Sequence, residues 1–470
     1  MFNKASIFSV ATIVIFLSGC VVGPDFAEPE VELADSFVEA ASDTFDNEPI
    51  TMDLWRSLEE TELDVLIDRA LLENTSIVQA LATLNETRAL SGLSIYSWFP
   101  TLGISSDGTR VSQSPQDPFV PPNAETTDRY RAGFDMAWEI SLFGSLQRQT
   151  EAIRERVEAD LSTLYAVQLS IIAEVAQTYF QLRGAQERLR VLERNLQNQG
   201  EGVQILEQSL EAGRGTALDV ARAQVLERSL AAILPQARAA VSRAEQRLAV
   251  LTTWSIEELR QQLAPQNRLP GMPDMIAVGT PEEWLRRRPD VRAAERRLAA
   301  ATADIGVEVA EYYPSFSLIG DFGWTSQSSS DLGSSSVERW SIGPTLSWRI
   351  LDFGRIRQRV IAAEARAEGA YAAFEETLLL ALEETENGLA GYRAAAMAVE
   401  ALGEALEASR MASELANLRF DNGVADYLSV LDAERTQLDL EDQYAIAVTD
   451  QATALAALYK ALGGDFATAP

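Results

Sequence analysis

Apolar positions in this chain follow two periods, one helical and one extended. Residues 145–211 and 355–421 lack proline and are rich in Ala, Leu, Glu, Gln and Arg, which favour helices. Leucine and valine recur there at intervals of three and four residues, as they do in a coiled coil. At ~1.5 Å per residue, each stretch predicts a rod about 100 Å long.

Each rod ends in a turn and continues into a shorter return helix. Gly213 and Gly215 follow the first rod and Gly423 follows the second, where glycine can end a helix in a left-handed conformation. Thr216 and Asp426 then stand where the return helix needs an N-cap. Each half of the chain is therefore predicted to carry an antiparallel helical hairpin.

Before each rod the apolar period becomes two, which predicts a pair of strands. The pairs begin after Pro100 and Pro314. One face of the strands is predicted to be apolar, and it carries Leu102, Ile104, Phe134, Met136, Trp138, Ile140, Phe316, Leu318, Phe322, Trp324, Trp340, Ile342, Leu346, Trp348 and Ile350. The opposite face is predicted to point inward with the charged residues Asp135, Glu139, Asp321 and Arg349. Arg355 follows at the junction between strand and rod.

The two halves repeat one another at a fixed distance. Trp138 recurs as Trp348 and Gly213 recurs as Gly423, in both cases 210 positions later. A rigid rod that resists insertions preserves such an offset. The predicted divisions are a signal peptide (1–19), an N-terminal anchor and equatorial segment (20–53), a first repeat (54–253), an equatorial linker (254–280), a second repeat (281–463) and a C-terminal tail (464–470).

The start of the chain is typical of a secreted lipoprotein. Lys4 is the only charge before Cys20, and residues 7–17 are almost wholly apolar, as in a signal peptide. The four residues ending at Cys20, LSGC, match a bacterial lipobox, and Cys20 is the only cysteine. Val21 follows instead of the aspartate of inner-membrane retention, which favours the outer membrane. The alternative is an ordinary cysteine near a signal sequence.

Composition excludes several classes of function. The formal net charge is −31, with 70 acidic against 39 basic residues, which makes nucleic acid a poor partner. The chain has no histidine and so lacks the commonest metal ligand and general base. No metal site and no cofactor are predicted. The acidic excess fits either a solvated surface or a lumen that favours cations.

Half-apolar strands fit either a soluble sandwich or a membrane barrel. These strands are long enough to span a membrane at ~9–11 residues, and aromatic residues lie at their ends. Together with the lipobox, this favours the barrel. Four strands cannot close a barrel, and open edges are not tolerated in lipid, so closure requires several chains. Two chains would give eight strands with a filled interior, and three would give twelve strands with a lumen.

Several motifs resemble those of the TolC-like outer-membrane factors, specifically the NodT-like lipoprotein branch. They lie in order along the chain at residues 20–26 (CVVGPDF), 63–67 (LDVLI), 288–295 (RPDVRAAE), 351–355 (LDFGR) and 432–435 (DAER). The resemblance implies a mainly α fold with a β-barrel portion, built as a tandem repeat. Each protomer of a homotrimer would supply four transmembrane strands to a twelve-stranded barrel, and long coiled-coil helices would form a periplasmic tunnel.

The same resemblance implies the function of an outer-membrane channel in a tripartite efflux system, with no enzymatic activity. Drugs, toxic compounds or metals would leave through the channel. Its helical tips would meet a periplasmic adaptor protein coupled to an inner-membrane pump, and an acylated Cys20 would anchor it in outer-membrane lipid. The alternatives are a type I protein secretion duct, a lipid-anchored coiled-coil scaffold with soluble strands, and a hydrolase using paired carboxylates.

The resemblance also implies a gate at the tips, where paired acids of the second hairpin ring a closed aperture in the family. Asp432 matches one of these acids, the other position holds Ser429, and Asp426 lies one turn earlier. The corresponding first-hairpin residues are Asp219 and Arg222, and Arg222 facing the acids would suit a latch. The alternative for all five is a solvated helix surface with local capping.

Overall fold

Two long helices and a four-stranded sheet dominate the structure, a computed structural model that describes residues 21–41, 44–46, 58–112, 126–263, 269–273 and 275–464. Cys20 lies outside the described residues. The strands are β1 (Phe45–Asp46), β2 (Thr101–Val111), β3 (Thr127–Ile140), β4 (Ile276–Ala277), β5 (Ser315–Ser326) and β6 (Glu338–Ser347). The helices are α1 (Thr61–Glu73), α2 (Thr75–Tyr96), α3 (Ser145–Glu211), α4 (Ala217–Thr252), α5 (Ile256–Gln262), α6 (Pro281–Arg287), α7 (Pro289–Ala310), α8 (Phe353–Asp421) and α9 (Tyr427–Ala461).

The chain divides into two units. The strand unit comprises the described residues within 1–29, 83–161 and 293–375, and the hairpin unit comprises those within 30–82, 162–292 and 376–470. The long helices α3 and α8 each contribute residues to both units.

Both predicted rods are single helices, of 67 residues in α3 and 69 in α8. Gly213 and Gly423 follow them with φ of +71° each, in the left-handed region that glycine enters without strain. The return helices α4 and α9 then begin at the predicted caps, Thr216 and Asp426. The two helical hairpins are therefore confirmed.

The helical segment that precedes each strand pair is divided in two, and the predicted linker is partly folded. Asn74 is extended between α1 and α2, and its buried side-chain amide donates to Leu251 O at 2.9 Å. Arg288 is extended between α6 and α7, because the proline that follows disfavours helical backbone at this position. Within 254–280 the structure forms α5 and β4, and β4 pairs in parallel with β1.

The four longer strands form one antiparallel sheet in the order β2-β3-β5-β6. Its register brings the predicted apolar residues within the strands together on one face, which confirms the alternation there, but Trp348 and Ile350 lie beyond the end of β6 and were wrongly placed on a strand. Pairs on this face are Leu102 with Met136, Ile104 with Phe134, Phe134 with Phe322, Trp138 with Leu318, Phe316 with Leu346, and Phe322 with Trp340. Among the described residues no strand pairs with the outer side of β2 or β6, so the sheet ends in two open edges.

Each half joins its helix to its strands through the same tryptophan contact. Trp138 Nε1 donates to Trp98 O at 3.0 Å, and Trp348 Nε1 donates to Tyr312 O at 3.1 Å. Both acceptors stand two residues before the proline that precedes a strand. The duplication therefore extends from the sequence to the contacts.

In the hairpin unit, a buried cluster holds the end of α9. Ala461 O accepts hydrogen bonds from Trp284 Nε1 (2.9 Å), Arg288 Nη1 (2.8 Å) and Thr385 Oγ1 (3.1 Å). A helix leaves its last carbonyls without helical partners, and these three donors satisfy one of them. The RPDVRAAE motif, which begins at Arg288, therefore has a packing role.

The same arginine pairs with two carboxylates. Arg288 Nη2 lies 2.7 Å from both Asp290 Oδ2 and Glu384 Oε2. Burial alone would raise the pKa of each carboxyl, but hydrogen bonds and charge from Arg288, and from Lys460 for Glu384, hold the two pKa values below 3.8 and 4.5. The pairs therefore stabilise the fold above these values, and this contribution is lost as the pH falls through the lowered pKa values.

Candidate functional site

The first candidate site is the polar face of the four-stranded sheet. Asp135 on β3 stands directly opposite Asp321 on β5, and Glu139 lies four residues further along β3 on the same face. Asp321 Oδ2 accepts from Arg339 Nη1 at 2.7 Å, and Ser341 also donates to this carboxylate. Three of the four charged residues predicted to point inward therefore share one face, opposite the apolar one.

The fourth, Arg349, does not lie on this face, so the prediction for its strand position was wrong. Strand β6 ends at Ser347, and Arg349 precedes a short 3₁₀ turn. Its Nη1 lies 3.5 Å from Glu311 Oε2. Alternation between faces holds only while the backbone is extended, and here the strand ends at Ser347, three residues before the end of the predicted alternation at Ile350. Arg355 pairs with Asp352 at 3.5 Å, at the junction between strand and rod.

The second candidate site is the pair of hairpin tips. In the first tip, Thr216 and Asp219 form a capping box: Asp219 N donates to Thr216 Oγ1 at 3.3 Å, and Thr216 N donates to Asp219 Oδ2 at 3.3 Å. Thr216 Oγ1 also donates to the same carboxylate at 2.6 Å. Asp219 is thus committed to the start of α4, whereas Arg222, one turn along, has an exposed side chain.

In the second tip, Asp426 caps α9. Its Oδ1 accepts from Ser429 N at 3.2 Å and from Ser429 Oγ at 2.8 Å. These hydrogen bonds lower the pKa of Asp426, and the charge of Arg222 on the first hairpin acts in the same direction. Asp432 is exposed, and its backbone carbonyl accepts from Thr436 Oγ1 at 2.8 Å. The structure therefore places Asp219, Ser429 and Asp426 in local caps and leaves Arg222 and Asp432 on the surface.

The two hairpins pack against each other near these tips. Val203 and Leu206 of α3, Ala223 of α4 and Leu431 of α9 form a cluster in which no member is more than 8% exposed, and Tyr427 packs against it. Burial is the main reason that the pKa of Tyr427 rises to about 12. Burial of these apolar side chains stabilises the packing of α9 against the first hairpin.

Beyond the cluster, α3 and α9 run antiparallel along a seam. At Gly184 a Cβ atom would lie 2.0 Å from Thr449 Oγ1, so only glycine allows this approach. Polar contacts then follow in antiparallel order. They are Arg188 with Asp442 (2.7 Å), Arg194 with Glu441 (2.9 Å), Asn195 with Glu441 (3.2 Å) and Gln199 with Glu434 (2.9 Å).

Glu441 is the centre of this seam and was missed by the sequence reasoning. Its side chain is 7% exposed and accepts hydrogen bonds from α3 at Arg194 and Asn195, and from α9 itself at Gln437 (3.2 Å). Arg410 Nε of α8 lies 4.0 Å from its Oε1. One buried carboxylate thus joins three helices. The available signal was its heptad spacing, seven residues after Glu434 and three after Leu438.

Comparison with known proteins gives a consistent match along the chain. A profile of the family described as outer membrane efflux protein matches residues 66–253 and 280–464. Outer membrane protein OprJ of Pseudomonas aeruginosa is 32% identical over 464 residues, covering 97% of this chain and 95% of the relative. The toluene efflux pump outer membrane protein TtgI of Pseudomonas putida is 29% identical over 457 residues, covering 96% of each. The solved outer-membrane channel OprN is 39% identical with a TM-score of 0.88, covering 95% of this chain and 99% of that one.

Proposed function

This chain belongs to the outer membrane efflux protein family, and from that premise we propose that three copies of it form the exit duct of a tripartite pump. The protein is an outer-membrane efflux channel component. The observation that carries the trimeric duct is a sheet with one apolar face and two open edges. An apolar face fits lipid, but unpaired edges are not tolerated there, so each edge requires a neighbouring copy.

The duplication supplies the register of the contact between copies. Strand β6 corresponds to β3 with an offset of 210 residues, and β2 corresponds to β5 with an offset of 214, as the aligned tryptophans and prolines indicate. Within the chain, β3 pairs with β5 so that Asp135 is opposite Asp321. The equivalent contact between copies places Thr345 of β6 opposite Asp107 of β2 in the next copy. Strand directions alternate throughout, so three copies close twelve antiparallel strands around a lumen.

The same proposal includes the lipid anchor, the periplasmic partner and the cargo. Cys20 carries the acyl chains that anchor the protein in outer-membrane lipid, and the helical tips contact a periplasmic adaptor protein coupled to an inner-membrane pump. The cargo is a class of small molecules such as drugs, toxic compounds or metals. Names that specify efflux among the relatives, such as that of TtgI, favour this cargo over the polypeptide of a type I secretion duct.

The gate lies where the two hairpins meet. The positive charge of Arg222 on the first hairpin helps to lower the pKa of Asp426 on the second. Asp432 is exposed on the return helix that Asp426 caps. In a ring of three copies these charges repeat three times around the axis. Attraction between Arg222 and the acids holds the tips together, so removal of the acids is expected to loosen them.

Purified protein is expected to form ion-conducting channels in planar bilayers, and Asp426→Asn with Asp432→Asn is expected to raise their single-channel conductance. Asparagine still serves as an N-cap, so α9 keeps its start while two charges per copy are removed. The control is Asp439→Asn, an exposed acid of the same helix. Absence of conductance in the parent protein would contradict the duct, and unchanged conductance in the double variant would remove both residues from the gate.

A further inference from the structure

Residues 21–26, which directly follow Cys20, are held in the strand unit by one buried arginine. Arg148 Nε donates to Val22 O at 3.1 Å, and its Nη2 donates to Gly23 O at 3.3 Å and to Asp25 Oδ1 at 2.6 Å. The Arg148 side chain is only 4% exposed, and Glu151 neutralises its remaining side at 2.8 Å. The guanidinium is thus largely satisfied by a segment distant in sequence.

Two glycines let the backbone of this segment approach closely. Gly23 has φ of +91°, and a Cβ there would lie 2.4 Å from Gly306 Cα. Gly144 has φ of +81°, and its Cβ would lie 2.7 Å from Val21 Cα. Val22 N also donates to the carbonyl that precedes Gly144, at 3.4 Å. Neither distance leaves room for a side chain, so the segment lies directly on α7 and on the turn into α3.

The second half of the duplication provides an internal comparison. Gly354 corresponds to Gly144 at the offset of 210 residues. Gly92 corresponds to Gly306, because Gly92 and Gly306 each stand eight residues before the proline that precedes a strand pair. A Cβ on either Gly92 or Gly354 would meet nothing within 4 Å, and neither has a positive φ. Close packing is therefore specific to the junction that receives residues 21–25.

We propose that Arg148, Gly144 and Gly306 form a receptor for residues 21–25, and that this receptor fixes the lipid anchor at the junction of β3 and α3. The anchoring part rests on the proposed acylation of Cys20, which is joined to Val21 by one peptide bond. Release of the segment would leave a buried guanidinium without three of its acceptors, which makes release costly. Arg148 is a positioning residue, because it keeps the acyl chains at one place beside the strands. A flexible tether would leave their position undefined.

Spin-label mobility at Ala27→Cys tests this receptor in full-length protein reconstituted into liposomes. Ala27 is exposed, and acylated Cys20 leaves no competing thiol. The label is expected to be restricted in the parent, and its rotational correlation time is expected to fall several-fold in Arg148→Met and in Gly23→Ala. The matched control is Gly92→Ala at the duplicated position, where a Cβ meets nothing within 4 Å, and it is expected to match the parent.

A restricted label in both Arg148→Met and Gly23→Ala would overturn the receptor. If Arg148→Met fails to assemble, Gly23→Ala decides alone, because it alters only the segment that is held. Mass spectrometry of Cys20 is read separately: an unmodified thiol would overturn the anchoring role. Conductance of the same samples tests the duct independently, so failure of the receptor and failure of the proposed function are distinguishable.

Discussion

Ile342→Arg is expected to prevent assembly in the outer membrane, whereas Thr345→Arg, three residues along the same strand, is expected to be tolerated. Ile342 is 61% exposed in the single chain and lies on the apolar face, opposite Gly320. Thr345 lies on the polar face, opposite Ser317. Arginine on the lipid face near the middle of a strand costs about 2–4 kcal/mol, and a homotrimer bears this cost three times.

The measurement is the amount of heat-modifiable oligomer in isolated outer membranes, together with drug susceptibility of cells that depend on the variant. Ile342→Arg should lose the oligomer band and leave cells as susceptible as a deletion strain. Thr345→Arg should keep the band, because an added charge on the polar face remains in water. Normal oligomer from Ile342→Arg would mean that the apolar face does not contact lipid.

Glu441→Ala is expected to have the second large effect, on the seam between α3 and α9. It removes the acceptor of Arg194 and of Asn195, and the latter is only 6% exposed and cannot turn to solvent freely. Arg194 is 46% exposed and keeps access to water, so the cost comes mainly from the buried Asn195 amide left without its acceptor, about 1–3 kcal/mol. The variant should therefore unfold at lower temperature, and because the seam holds the second return helix, closed-channel conductance should rise.

Asp439→Ala is the matched control, since it removes an exposed acid two residues away on the same helix. Glu441→Gln should be intermediate, because the amide keeps the shape and one acceptor but loses the charge that attracts Arg194. Thermal unfolding followed by circular dichroism reads the first effect, and planar-bilayer recording reads the second. A Glu441→Ala protein that unfolds and conducts like the parent would exclude this seam from gating.

Periodicity predicted the elements well where a single physical constraint dominates. The hairpins were predicted from long proline-free stretches that end at Gly213 and Gly423. Both glycines have the positive φ that such helix ends require. The two faces of the sheet followed from alternation, because one shifted residue would exchange them. Arg349 was misplaced because the strand ends in a 3₁₀ turn, and nothing in the alternation marks that change.

Contacts between distant segments were beyond sequence reasoning for a different reason. The heptad stripe of α9 places Glu441 on a buried face, but it does not say that α3 supplies the partners. Asp219 and Asp426 were gate candidates because of the family resemblance, and Asp426 was also predicted as an N-cap; the structure adds that Asp219 takes part in the capping box of the first return helix. Arg148 lies more than a hundred residues from Val22, so no local pattern could have paired them.

Pairing of β6 with β2 of the next copy is tested most directly by disulfide cross-linking of a chain that carries Asp107→Cys and Thr345→Cys. Cys20 is the only native cysteine, and directly opposed residues of antiparallel strands place their Cβ atoms about 4.5–5.5 Å apart. Mild oxidation of intact outer membranes should give a covalent trimer that survives boiling and disappears on reduction. The control, Ser106→Cys with Thr345→Cys, places the thiols on opposite faces and should not cross-link. If the first pair gives no covalent oligomer, or the control pair cross-links equally well, the twelve-stranded closure and its register are contradicted.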